Sequence, residues 1–152
     1  MISLGDRDIF VNVCEFQGEI LVHLRQYERE NGKIFPTKKG IALKVKEWRL
    51  LKTNMPKVNK ELKKFKKDSK FESTLKVDLG SRNIALTVSD FKGSIKVHIR
   101  KYFIHEDKLL PTKTGIALTP SEWDVLRKEV TSVDTLAKAL RKGKKHLEES
   151  CT

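Results

Sequence analysis

Several things are scarce in this 152-residue chain, and each scarcity excludes something. Cysteine occurs only as Cys14, in a strand-like run, and Cys151, in a polar tail. That is no disulfide framework of the kind that staples small secreted domains, and a reducing setting is expected. No apolar run approaches the roughly 20 residues that span a bilayer. The opening MISLGDRDIF has no charged lead before an apolar stretch, so no signal peptide is expected. No basic amphipathic helix carries an aromatic-rich apolar face, so no membrane partner is expected. The eight glycines sit mostly at turns and form no phosphate-cradling loop. There is no nucleophile elbow and no paired carboxylates in an apolar setting. His23 and His98 have no Cys, His or carboxylate partners at ligand spacing. The expectation is a non-enzymatic protein with no metal and no cofactor.

Positive charge, by contrast, is plentiful. The net charge is +12, which points to a polyanionic partner. Residues 1–75 carry about +7 and residues 76–152 about +5, so the excess is not confined to a tail.

The sequence also repeats itself. Shifted by about 75 residues it lies over itself without a gap for most of a module. Phe16-Gln17-Gly18 meets Phe91-Lys92-Gly93. Val22-His23, Arg25 and Tyr27 meet Val97-His98, Arg100 and Tyr102. Gly40-Ile41-Ala42-Leu43 meets Gly115-Ile116-Ala117-Leu118, and Glu47-Trp48 meets Glu122-Trp123. The expected division is a first repeat at 1–67, a linker at 68–76 and a second repeat at 77–147.

Each copy reads alike. Ile9, Val11 and Val13 alternate with Phe10, Asn12 and Cys14, a strand period. A turn follows at Gln17-Gly18 or Lys92-Gly93. In the next strand Ile20, Val22 and Leu24 face one way, and Leu21, His23, Arg25 and Tyr27 the other. A loop at 28–32 or 104–107 leads to a short strand ending at Pro36 or Pro111. Gly40 or Gly115 then opens a fourth short strand. Next the period changes to about 3.6: Trp48, Leu51, Met55, Val58, Leu62 and Phe65 form an apolar helix stripe, and Trp123, Leu126, Val130, Val133, Ala137 and Leu140 repeat it. Thr119-Pro120 is a cap followed by a first-turn proline. Lys44-Val45 lacks that cap, so the first helix should fray more, and Pro56 predicts a kink. The fold class is α+β: two tandem copies of a curved four-stranded antiparallel sheet followed by a long kinked helix. One such module buries little, so the two are expected to pack as an intramolecular pseudo-dimer, monomeric as a chain.

This ordered set of residues resembles the Positive Cofactor Four family of transcriptional coactivators. Copy two carries it as Asp90-Phe91-Lys92-Gly93, Ile99-Arg100-Lys101-Tyr102, the run from Pro111-Thr112-Lys113 to Gly115-Ile116-Ala117-Leu118, and Ser121-Glu122-Trp123. Copy one carries Glu15-Phe16-Gln17-Gly18, Leu24-Arg25-Gln26-Tyr27, Pro36-Thr37-Lys38-Lys39-Gly40 and Lys46-Glu47-Trp48. The resemblance implies binding of single-stranded or melted DNA across the sheet face. It also implies contact with transcription machinery proteins, positive regulation of transcription by RNA polymerase II, and a nuclear location. Its hairpin is typically Phe-Lys-Gly-Lys; copy two keeps one lysine, and copy one has Gln17 and Glu19 instead.

Single strands are held by cations along the phosphates and aromatics under the bases. In copy two Lys96, His98, Arg100 and Tyr102 alternate on the outward face, with Phe91, Lys92, Phe103 and Lys113 extending it. Phe16, Arg25, Tyr27, Lys38 and Lys39 are the copy-one candidates. Against this, Phe16 and Phe91 have a core reading, Arg25 and Arg100 an ion-pair reading, and the tyrosines a packing reading; Trp48 and Trp123 read as core. The lysines of 60–67 read as a solvated helix end, and Arg141, Lys142, Lys144 and Lys145 as a similar patch. Two other functions stay open: a protein-interaction adaptor with a partly decayed nucleic-acid surface, suggested by Gln17, Glu19 and Glu28, and single-stranded RNA binding.

Overall fold

The computed structural model describes residues 1–143. Lys144, Lys145, Cys151 and the end of the second repeat at 147 lie outside the described residues. Hydrophobic alternation builds the strands β1 (Ile2–Ser3), β2 (Ile9–Phe16), β3 (Glu19–Glu30) and β4 (Lys33–Lys44). The helix α1 (Val45–Lys67) follows. The second half repeats the order as β5 (Lys76–Asp78), β6 (Ile84–Phe91), β7 (Ser94–His105), β8 (Lys108–Leu118), α2 (Pro120–Lys128) and α3 (Val130–Arg141). The eight strands form one antiparallel sheet in the order β1-β2-β3-β4-β8-β7-β6-β5.

The strand count per half agrees with the sequence reading, but two of the strands differ. The two short strands expected around Pro36 and Gly40 are one continuous strand, β4, and their counterparts are β8. The expected loops at 28–32 and 104–107 shrink to two-residue turns. Asn31 and Gly32 take φ of 52° and 76°, and Glu106 and Asp107 take 48° and 62°. Those left-handed pairs match the twist of a tight hairpin. The fourth strand of each half is instead the short edge piece, β1 or β5.

Both helices lie on the face that carries Ile9, Val11, Val22, Leu24 and their counterparts, all buried. Most of the expected stripe is buried: Trp48, Leu51, Met55, Val58 and Phe65, and Trp123, Leu126, Val133, Ala137 and Leu140, with Leu62 and Val130 only partly buried. The helices cross between halves. α3 packs over β2 and β3, and α1 reaches β6. Phe71 after α1 packs edge-on against Phe65, with centroids 4.9 Å apart.

The two helices differ. α1 runs as one helix with Pro56 inside it, and Met55 and Val58 are buried on either side of the one lost hydrogen bond. Its counterpart breaks at Glu129, which has no proline. There the Glu129 N–H is shared between the Val125 and Leu126 carbonyls at 3.0 and 3.1 Å, tightening the turn. Cys14 is buried, and no cysteine among the described residues is a free thiol. The reducing setting read from the cysteine pattern therefore finds no support here.

Candidate nucleic-acid interface

The sheet face away from the helices is built by the outward positions of β3 and β7. At its centre the halves meet, Gly40 opposite Gly115. The ladder puts Arg25 beside Gly40 and Arg100 beside Gly115, so one row runs Arg25, Gly40, Gly115, Arg100. Glycine is required at both places by close approach. A Cβ on Gly40 would stand 2.8 Å from the Leu24 carbonyl oxygen, and one on Gly115 would stand 2.8 Å from the Arg100 Cα.

A β-bulge follows each arginine. Thr37 donates its hydroxyl to the Gln26 carbonyl at 2.7 Å, and Thr112 does the same to Lys101 at 2.7 Å. The arginines reach the bulge too. Arg25 Nη1 donates to the Thr37 carbonyl at 2.7 Å, and Arg100 Nη1 to the Thr112 carbonyl at 2.9 Å. Among the described residues neither arginine meets a carboxylate, which corrects the ion-pair reading. Both are half-buried cations held by backbone. Beyond them β4 presents Lys38 and Lys39 and β8 presents Lys113, all exposed.

His98 Nε2 sits 2.8 Å from the Ser89 hydroxyl. Burial pushes its pKa down, and the neighbouring Arg100 and Lys96 charges push the same way. It is a neutral hydrogen-bonding group at pH 7. His23 is lowered by burial and by Arg25, but its Nε2 has no hydrogen-bond partner among the described residues. The tyrosines differ as well. Tyr27 meets the Phe10 ring edge-on at 5.4 Å. Tyr102 lies opposite Pro111, and the Lys76 ammonium stands 5.6 Å from its ring centroid.

At the hairpins, Phe16 is 52% exposed, which corrects its core reading. The Phe91 backbone closes β6 opposite Ser94, and Lys92 sits in the turn at φ 54°. Phe103 is exposed and faces Leu110 across the hairpin, its ring 6.5 Å from that of His105. Thr87, Ser89, His98, Arg100, Tyr102 and Lys113 wall a groove of about 570 Å³. Trp48 and Trp123 are core, at 2% and 1% exposure.

Sequence reasoning missed a set of polar contacts that tie the halves and so hold the face together. Arg7 grips Glu122 with Nε and Nη2 at 2.9 and 2.7 Å, and Arg82 grips Glu47 at 2.8 and 2.6 Å. Each arginine also donates to a backbone carbonyl of the other half, Arg7 to Ala117 and Arg82 to Ala42. Trp48 Nε1 donates to Asp134 at 2.9 Å, and Trp123 Nε1 to Asn59 at 2.8 Å. Every one of these contacts matches another at the 75-residue shift. The signal was therefore in the repeat: Arg7 lies over Arg82 as Glu47 lies over Glu122.

The Transcriptional Coactivator p15 (PC4) family profile matches residues 4–54 and 77–129. Over 54 residues the chain is 43% identical to the RNA polymerase II transcriptional coactivator KELP of Arabidopsis thaliana, which covers 36% of this chain and 33% of that protein. It is 32% identical over 54 residues to the RNA polymerase II transcriptional coactivator KIWI of the same plant, covering 36% and 50%. A putative RNA polymerase II transcriptional coactivator of Caenorhabditis elegans is 40% identical over 50 residues, covering 32% and 40%. The matched region thus spans a third to a half of these relatives' own length.

Proposed function

This chain belongs to the Transcriptional Coactivator p15 (PC4) family, and on that premise we propose that it binds single-stranded or melted DNA and acts as a nuclear coactivator of RNA polymerase II transcription. The observation that carries the binding reading is the second half's groove, where an arginine that meets no carboxylate among the described residues, an exposed lysine and a tyrosine share one wall. Cations and an aromatic at that spacing suit phosphates and a stacked base. Phe91, Lys92, Lys96, Phe103 and Lys113 are the further contacts proposed for the second half. Arg25, Tyr27, Phe16, Lys38 and Lys39 are the first half's contribution.

The chain performs this role as an intramolecular pseudo-dimer, with repeats at 1–67 and 77–147 joined by 68–76. The reciprocal Arg7–Glu122 and Arg82–Glu47 contacts support that arrangement. The hairpin tip of the second half leaves Phe103, Ile104, Leu109 and Leu110 exposed, an apolar patch that suits a protein of the transcription machinery.

Fluorescence anisotropy of a labelled strand of about 20 nucleotides, competed by duplex and by RNA, tests the binding reading. The expected result is affinity that falls steeply with salt and a preference for the single strand over duplex. Salt-independent binding, or none of that preference, contradicts it. A preference for RNA turns the same surface to the other polymer.

A further inference from the structure

A second groove adjoins the first. It holds about 490 Å³ over the seam between the halves. Arg100 and Lys113 line both grooves, and Arg7, Lys38 and Lys39 of the first half line only the second. The two therefore form one cationic path from the middle of the second half, across Gly115, onto the first.

The first half's own face is a poorer surface at the matched positions. Phe10 replaces Ala85, and its ring lies against Tyr27, so one edge of that aromatic is already engaged. Leu21 replaces Lys96, Gln17 replaces Lys92, and Glu28 replaces Phe103. Two cations are absent, carboxylates are added at Glu28 and at Glu19 (Ser94 in the second half), and the exposed aromatic moves from Phe103 to Phe35, which stands where Leu110 does. Asn12, at 9% exposure, takes the place of half-exposed Thr87, which lines the open groove. The first half keeps its cations where the path arrives, at Lys38 and Lys39.

We propose that the sheet offers one nucleic-acid track per chain rather than two. A single strand lies in the second half's groove, crosses the seam, and ends on Lys38 and Lys39. This rests on the reading of the sheet face as a single-strand surface. A repeat protein of two equal modules would hold two strands related by its pseudo-two-fold; this chain holds one.

Native mass spectrometry of the full chain with excess oligothymidylate of about 6 and about 20 nucleotides counts the strands. One strand per chain is expected at both lengths. The double variant K38Q/K39Q, both exposed and outside the core, locates the far end. For the long strand its log-affinity against log-salt slope should flatten by about 1.4, two phosphate contacts at about 0.7 each. For the short strand, which fits within the second half, the slope should not change. Two short strands on one chain, or an equal flattening at both lengths, overturns the track while leaving single-strand binding intact. No binding at either length overturns the binding reading and the track together.

Discussion

At the residue scale the glycine pair and the crossed ion pairs hold the molecule together. A Gly115→Ala or Gly40→Ala change puts a methyl within 2.8 Å of backbone. Because backbone cannot yield like a side-chain tip, thermal melting should show a loss of about 1–3 kcal/mol. Glu122 is 3% exposed. Burial pushes its pKa up, but hydrogen bonds from Arg7 and from the Thr119 N–H outweigh that and hold it below the ordinary value of 4.5. A carboxylate depressed on folding contributes stability that is present above its unfolded value. That stability is lost as pH falls below 4.5 through the folded value. Arg7→Ala should therefore destabilise the chain at pH 7 by about 2–3 kcal/mol. This is less than for a fully buried pair, because the Arg7 side chain is 39% exposed and water screens it. The difference between variant and wild type should shrink on acidification, as chemical denaturation at pH 7 and at pH 3.5 will show.

At the element scale, what the sequence disclosed followed the strength of each local signal. Alternation placed β2, β3, β6 and β7, and the 3.6 period placed the helix stripe, because both faces are buried. β1 and β5 escaped notice because two or three residues carry no period. The continuity of β4 through Pro36 was hidden because proline reads as a stop. There β4 pairs with β3 on one side only, having met β8 just at Gly40, and an edge position tolerates the missing N–H. The outward positions of β3 and β7 were legible as alternation. The partner of each arginine was not, since a bulge carbonyl leaves no mark in the sequence. The caps give a direct comparison. Thr119 accepts the Glu122 N–H at 3.2 Å, while Lys44 has no such side-chain bond to offer. Thr119→Ala should cost about 1 kcal/mol, and Lys44→Thr should gain about 0.5–1 kcal/mol, in urea titrations followed by circular dichroism.

At the scale of the whole molecule, each half borrows packing from the other. α3 covers β2 and β3 of the other half, and Trp48 and Trp123 each donate across the division. Expressed separately, residues 1–75 and 76–152 should each self-associate or remain unfolded. Mixed, they should form a one-to-one complex by sedimentation, with the helical signal rising on mixing. Two stable monomeric halves would contradict the pseudo-dimer. The Asp134 carboxylate ties the two further, since it also accepts from Lys52 at 2.8 Å. Asp134→Ala should weaken the mixed complex more than it changes the fold of either part.

The sheet face and the lysine-rich end of α1 are both basic, and on the proposed reading the strand takes the sheet. Photocrosslinking of a bromodeoxyuridine-substituted single strand, followed by peptide mapping, decides between them. Crosslinks are expected in peptides of β7 and β8, containing His98, Tyr102 and Lys113. Crosslinks confined to the peptides of residues 57–67 would contradict it.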